Sequence, residues 1–160
     1  MLTVQLICVG TLKEKYLKEA CAEYEKRLRP FCHLQILELP EERLAEHAGA
    51  AEIATVVEAE GKRILSKLAQ RSYVIPLCVE GKQMDSPALS RLFEEIALGG
   101  YSTVSLVIGG SYGLSDAVKQ AGRYRLSMSK MTFPHQLARL MLLEQVYRAF
   151  MIASHSKYHK

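Results

Sequence analysis

Three stretches of the 160-residue chain gather residue types that can hold a small ligand or move a proton. The first is Gly109-Gly110-Ser111-Tyr112-Gly113, which follows an apolar run at 104–108. Without a Cβ, glycine lets backbone approach a ligand closely, although the same residues also suit a tight strand-to-helix turn. The second is Leu126-Ser127-Met128-Ser129-Lys130-Met131-Thr132-Phe133-Pro134-His135. Its methionines and phenylalanine are apolar, while Ser127, Ser129 and Thr132 offer hydroxyls. Apolar walls with a few fixed hydrogen bonds suit an adenine and a thioether. A buried crossover loop with satisfied serines fits the pattern equally well. The third is the C-terminal region, where Glu144, Gln145 and Arg148 interrupt an apolar stripe and the chain closes on Tyr158-His159-Lys160. A ring, an imidazole and a cation stand together there; in isolation such an end reads as a disordered terminus.

Phosphate-binding motifs are missing from the glycine stretch. A Walker loop needs G-x-x-x-x-G-K-[ST], whereas Gly113 is followed by Leu114. A dinucleotide fingerprint needs G-x-G-x-x-G near the start of a βαβ unit and an acid about 20 residues on. Neither spacing matches. An adenosine ligand without phosphates, held by backbone amides and carbonyls, remains open.

The elements that position these loops alternate. Thr3–Val9 reads as a strand ending at Gly10, followed by a helix carrying Leu12, Tyr16, Leu17, Ala20, Tyr24 and Leu28 and closed by Pro30. His33–Leu39 is a second strand, 40–51 a charged surface loop, and a helix follows with Ile53, Val56, Val57, Ile64, Leu65 and Leu68 on one face. A third strand spans 73–79 and meets the turn-like Glu80-Gly81-Lys82. Ser86-Pro87 predicts a hydroxyl N-cap with proline at the first helical position. That helix ends at Gly99-Gly100, where glycine can take a left-handed cap. After the strand at 104–108, Ser115 caps a short helix, 124–127 forms a brief strand, and Pro134 opens the last helix, to about Ile152. Strands joined by helices of this length predict an α/β fold with a mostly parallel sheet flanked by helices, in one domain over residues 1–160. Ligands in such folds sit at the carboxyl ends of strands, so the segment at 77–82 joins the two loops above as a candidate wall.

Bulk features set the class. Hydrophobic and charged contents of 49% and 24% are those of a globular protein. Met1 leads directly into an apolar run with no basic leader, and no apolar stretch approaches membrane-spanning length, so a cytoplasmic protein without a membrane partner is expected. Cys8, Cys21, Cys32 and Cys78 contain no C-x-x-C pair, and Cys8 and Cys78 read as small core hydrophobes in a reducing compartment. The net charge is +4. From Lys119 onward Lys119, Arg123, Arg125, Lys130, Arg139, Arg148, Lys157 and Lys160 face only Glu144, so a phosphate backbone would be met in the C-terminal quarter. The closing helix carries Leu137, Leu140, Met141, Leu143, Val146, Tyr147, Phe150 and Met151, a stripe wider than one sheet face requires, which suggests a subunit interface.

Taken together, Val107-Ile108-Gly109-Gly110-Ser111-Tyr112-Gly113-Leu114, the 126–135 loop, Glu144-Gln145-Val146-Tyr147-Arg148-Ala149 and Tyr158-His159-Lys160 resemble one family. It is the bacterial ribosomal large-subunit pseudouridine N3-methyltransferase family of the SPOUT superfamily. Val9-Gly10-x-Leu12-Lys13-Glu14 and Glu23-Tyr24-x-Lys26-Arg27-Leu28 are similar too, so the resemblance spans essentially the whole chain. It implies a C-terminal trefoil knot, which periodicity does not show and the ordinary connection rules argue against. It further implies S-adenosyl-L-methionine as cofactor, with Leu77 on one wall, Gly109 and Gly110 approaching by backbone, and Leu126, Met128, Ser129, Lys130, Met131, Thr132 and Phe133 wrapping the ligand. The implied substrate is a pseudouridine in helix 69 of 23S rRNA, methylated at N3, and the apolar stripe becomes a homodimer face. The implied chemistry is in-line displacement, needing neither metal nor covalent intermediate. Arg148 would stabilise charge, Tyr158 and His159 would contact the target base or its phosphates, and Glu144 would orient groups or handle a proton. Tyr112 sits at a variable position and receives no role.

Three rivals are weighed against this reading. They are a ribosome-binding protein without catalysis, a flavodoxin-like nucleotide binder, and a related SPOUT enzyme acting on tRNA. The intact Gly109-Gly110, Arg148 and Tyr158-His159 count against the first, and the missing phosphate motifs against the second.

Overall fold

A computed structural model describes residues 1–160. Four parallel strands, β1 (Thr3–Val9), β2 (His33–Leu39), β3 (Tyr73–Lys82) and β4 (Thr103–Ile108), form one sheet in the order β2-β1-β4-β3. Five helices connect and follow them: α1 (Lys15–Leu28), α2 (Ala50–Lys67), α3 (Ser86–Leu98), α4 (Asp116–Ala121) and α5 (His135–Ala153). The expected parallel α/β architecture is what the chain adopts. No helix is long and apolar enough to cross a membrane.

Side chains of a strand alternate between faces, and the core divides accordingly. Val4, Leu6 and Cys8 of β1 join Val104, Leu106 and Ile108 of β4 in a larger core beneath α1, α3 and α5. Ile7 and Val9 join Val107, Leu39 and Val74 in a smaller core with Ile64 of α2 and Val118 of α4. Buried Gln5 is held at both ends of its amide: it donates to the Lys67 carbonyl at 3.0 Å, and its Oε1 accepts from Ser105 Oγ at 2.7 Å and the Ala69 amide at 3.3 Å.

Local signals in the sequence are realised with specific departures. β1 and β2 occupy the expected residues, and Ser115 caps α4 by accepting from the Val118 amide at 3.3 Å. The left-handed residue after α3 is Gly100, with φ +89°. Ser86 does not cap that helix. Asp85 does, accepting from the Ala88 amide at 2.8 Å, because Asp85 holds the extended backbone of the capping position and Ser86 is already the first helical residue. β3 runs on to Lys82 instead of turning at Glu80. The brief strand expected at 124–127 is reduced to single bridges from Leu126 to Leu77 and to Lys82. Here the Lys82 amide donates to the Arg125 carbonyl at 2.8 Å, and the Ser127 amide to the Lys82 carbonyl at 2.9 Å. A ladder goes no further because the Ser127 hydroxyl turns to the Ser129 carbonyl at 3.0 Å, a local bond that competes with strand pairing. Gly81 makes this approach feasible: a Cβ there would stand 2.6 Å from the Arg125 carbonyl oxygen.

Candidate active site

The carboxyl ends of β3 and β4 and the 128–135 loop enclose a cavity of about 710 Å³. Of the ten residues expected to hold a cofactor, Leu77, Gly109, Gly110, Met128, Ser129, Met131, Thr132 and Phe133 lie on its wall. Two are placed elsewhere. Leu126 is 5% exposed, packs into the larger core and lines a neighbouring cavity, while the Lys130 side chain is exposed and off the wall.

The glycine loop is shaped by its own backbone. A Cβ on Gly109 would lie 2.8 Å from both the carbonyl carbon and oxygen of Gly113, so only glycine closes this turn. Gly113 has φ +82°, a left-handed conformation that side chains disfavour, and its amide donates to the Gly110 carbonyl at 3.0 Å. From outside, Ser111 Oγ donates to Glu41 Oε1 at 2.9 Å, joining the loop to the 40–49 segment. Glu60 of α2, only 4% exposed, accepts from the Glu42 amide at 3.1 Å and stands beneath Gly110, where a Cβ would come within 3.3 Å of its Oε1. Burial pushes the Glu60 carboxyl above the usual carboxylate range.

Glu80 and Lys119 form an ion pair on the cavity wall. The hydrogen bond from Lys119 lowers the Glu80 carboxyl and keeps it ionised. Cys78 is half-buried on this wall instead of sitting in the core as its apolar neighbours suggested, because β3 continues past it to the cavity edge. Burial raises the thiols of Cys8 to about 12 and Cys32 to about 11, so both stay protonated as small core groups. No group of three His, Cys, Asp or Glu side chains is arranged to hold a metal.

A second cavity, about 570 Å³, shares Met128 with the first and is lined also by Leu126, Ser86, Gln145 and His159. Beside it the structure brings together all four residues expected to act in chemistry. Glu144 Oε1 accepts from Arg148 Nε at 3.0 Å, Arg148 Nη2 at 2.6 Å and the Tyr158 hydroxyl at 3.2 Å. Arg148 Nη1 is 3.2 Å from His159 Nδ1, and the guanidinium carbon lies 4.8 Å from the Tyr158 ring centre. The tail is therefore docked, not a disordered end. Tyr158 packs edge-on against Tyr147 with ring centres 4.9 Å apart, and its hydroxyl is 3.5 Å from that of Tyr24. Its bond to Tyr24, with burial and the charge of Glu144, raises the Tyr158 phenol; the bonds to Glu144 raise Arg148, which stays a fixed cation.

Two buried charges escaped the sequence reading. Glu60 follows Val56 and precedes Ile64 at four-residue spacing, so an acid on the apolar stripe of α2 was the available signal. Arg139 of α5 is 4% exposed, pairs with Glu38 Oε2 at 2.8 Å and donates to the Gly10 carbonyl at 3.1 Å. It sits four residues before buried Leu143, again a charge on the inward face.

The parallel α/β fold that carries this site has counterparts among solved structures. The chain resembles a probable methylase family protein from Haemophilus influenzae Rd KW20, with TM-score 0.55, 12% identity, and coverage of 98% of this chain and 70% of that one. It also resembles the putative methyltransferase Lpg2936 from Legionella pneumophila, in complex with the bound cofactor SAM, with TM-score 0.52, 14% identity, and coverage of 95% and 66%. These likenesses concern the fold. Residues 2–159 match the family model described as predicted SPOUT methyltransferase. A ribosomal RNA large subunit methyltransferase H from Leuconostoc mesenteroides is 50% identical over 159 residues, covering 99% of this chain and 100% of the relative. One of the same name from Streptococcus agalactiae serotype III is 48% identical over 157 residues, covering 98% and 99%. The chain belongs to the SPOUT methyltransferase family.

Proposed function

We propose that this protein methylates N3 of a pseudouridine in helix 69 of 23S rRNA, within the assembled ribosome, using S-adenosyl-L-methionine. The observation that carries the proposal is the adjacency of two structures. An apolar, glycine-turned cavity of cofactor size meets, across Met128, a cavity whose edge carries Arg148, Glu144, Tyr158 and His159. The names of the full-length relatives, ribosomal RNA large subunit methyltransferase H, support the RNA substrate, and the SAM-bound Legionella neighbour supports the cofactor.

The residues present suit that cofactor. Leu77, Met128 and Phe133 offer apolar surface for an adenine and a methylthio group, Ser129 and Thr132 offer hydroxyls, and the volume falls within the roughly 300–1,000 Å³ of small-molecule sites. When bound, S-adenosyl-L-methionine supplies an electrophilic methyl group. The chain's own residues then have three tasks. The two cavity walls hold the base nitrogen in line with that methyl, a proximity effect. Arg148, fixed as a cation by Glu144, faces the negative charge that spreads onto the base carbonyls as the N3 proton leaves. Glu144 Oε1 already accepts three donors, so Glu144 orients Arg148 and Tyr158, and His159, exposed at the cavity edge, takes the proton.

A second copy of the chain covers apolar surface that one copy leaves open, including Leu137 of α5 with Met131 and Val79 beside the first cavity. The trefoil knot belongs to the same proposal and rests on membership of the SPOUT methyltransferase family. A ribosomal substrate places the protein in the cytoplasm.

The test uses ribosomes from a strain lacking the gene, incubated with pure protein and S-adenosyl-L-methionine, and mass spectrometry of the helix 69 fragment. One added methyl on a pseudouridine is the expected result. Cofactor binding without that methyl would move the substrate to tRNA or another rRNA site, and no cofactor binding would restore the non-catalytic reading.

A further inference from the structure

Ser86 and Gln145 sit together on the wall of the second cavity, and neither is explained by cofactor binding or by the charged tail. Their hydrogen-bond inventory is nearly fixed. Glu144 Oε2 lies 2.7 Å from Gln145 Nε2, and a carboxylate only accepts, so the amide nitrogen faces Glu144 and Oε1 faces Ser86. The Ser86 hydroxyl gives its single proton to that Oε1 at 2.6 Å, leaving its lone pairs as acceptors. Gln145 uses one of its two N–H groups on Glu144 and keeps the other. The pair therefore presents an acceptor and a donor side by side, on a wall that mixes apolar Met84, Leu89, Leu126 and Leu142 with polar Asp85, Ser127 and His159.

A flat ring with a polar edge fits such a wall. In pseudouridine the ribose is attached through carbon, so N1 carries a hydrogen next to the C2 carbonyl, and N3 follows around the ring. We propose that Ser86 accepts from N1–H and Gln145 donates to the C2 carbonyl of the target pseudouridine. With that edge engaged, N3 is the next ring atom, available to the Met128 seam between the cavities. Uridine presents a C–H where pseudouridine presents N1–H, so Ser86 becomes the residue that tells the two bases apart. Gln145 reads a carbonyl common to both. This inference rests on the function proposed above.

The experiment compares two ribosome preparations from strains lacking this gene, one with pseudouridine at the helix 69 position and one with uridine because the pseudouridine-forming enzyme is also absent. The wild-type protein should methylate the first in preference to the second. Ser86→Ala should lower kcat/KM on pseudouridine about tenfold, the scale of one neutral hydrogen bond, while changing the uridine rate far less. Gln145→Leu should lower both rates together. Calorimetric affinity for S-adenosyl-L-methionine, measured on the same preparations, should stay within about twofold of wild type, which separates base reading from misfolding. An unchanged pseudouridine-to-uridine ratio in Ser86→Ala, with cofactor affinity intact, overturns the assignment. Wild-type protein that binds cofactor yet methylates neither ribosome overturns the function itself, and this inference with it.

Discussion

The two cavities that meet at Met128 are built from different materials. The first takes its shape from backbone: Gly109 closes on Gly113, Gly81 lets Arg125 approach β3, and the wall is mostly apolar. The second is bordered by side chains that hold one another, from Ser86 through Gln145 and Glu144 to Arg148, Tyr158 and His159. A backbone-built site binds a ligand through shape, and a substitution there disturbs affinity. A side-chain network holds charge in place, and a substitution there disturbs the reaction. The division between holding and reacting should appear as a split between cofactor affinity and turnover.

The largest expected effect is on the reactive side. Arg148→Ala should reduce kcat by roughly 10²–10³, the range for removing a charge-stabilising donor, with cofactor affinity little changed in calorimetry. A matching loss of affinity would erase the distinction between the cavities. Next comes Gly109→Ala, where the new methyl would meet backbone at 2.8 Å. Overpacking of that kind should destabilise the fold by about 1–3 kcal/mol in chemical unfolding. It should also weaken cofactor binding at least tenfold, read by calorimetry.

A subtler effect concerns Glu60, beneath the glycine loop. Burial raises its folded-state pKa above the unfolded value, so the folded form holds its proton more tightly. Stability from this group therefore falls as pH rises from the unfolded pKa through the folded one, and an ionised Glu60 opposes folding at neutral pH. Glu60→Gln keeps an acceptor for the Glu42 amide and should flatten stability against pH above the ordinary glutamate pKa of about 4.3, measured by urea unfolding. A slope identical to wild type would show that Glu60 does not titrate in that window. The smallest effect should come from Lys130→Ala. Its side chain is exposed and does not line the first cavity, so cofactor affinity should move by less than about threefold, within the ±0.5 kcal/mol usual for surface changes. A larger drop would bring Lys130 into the binding site.

Legibility in the sequence followed the range of the forces involved. β1 and β2 are strongly patterned runs whose limits follow from Gly10 and Pro40, and their boundaries were readable. The extension of β3 to Lys82 was not, because it depends on Leu126, more than forty positions away, arriving beside Leu77 and Lys82. Ser86 carried the right chemistry for a cap, but Asp85 immediately before it takes the extended capping conformation and leaves Ser86 within the first turn. The two candidate loops were visible as unusual mixtures of glycine, methionine and serine, and the structure sets them around one cavity. The docking of Tyr158 on Tyr147 and Glu144 could not be read from a three-residue tail, since its partners lie on α5. Glu60 and Arg139 were readable in principle, as charges falling on inward helical faces.

The strand order has a consequence for the chain while it is still being made. β1 lies inside the sheet, yet one of its two neighbours is β4, whose partner residues are a hundred positions later: Thr3 pairs with Thr103 and Cys8 with Ile108. The first strand to emerge must wait for most of the protein before its second edge is covered. At synthesis rates of about 5–20 residues per second, that wait lasts about 5–20 seconds. Through that interval a strongly apolar strand, with Leu6 to Val9 as its second half, has one unpaired edge. The nascent protein is most exposed to misassociation before residue 103 appears.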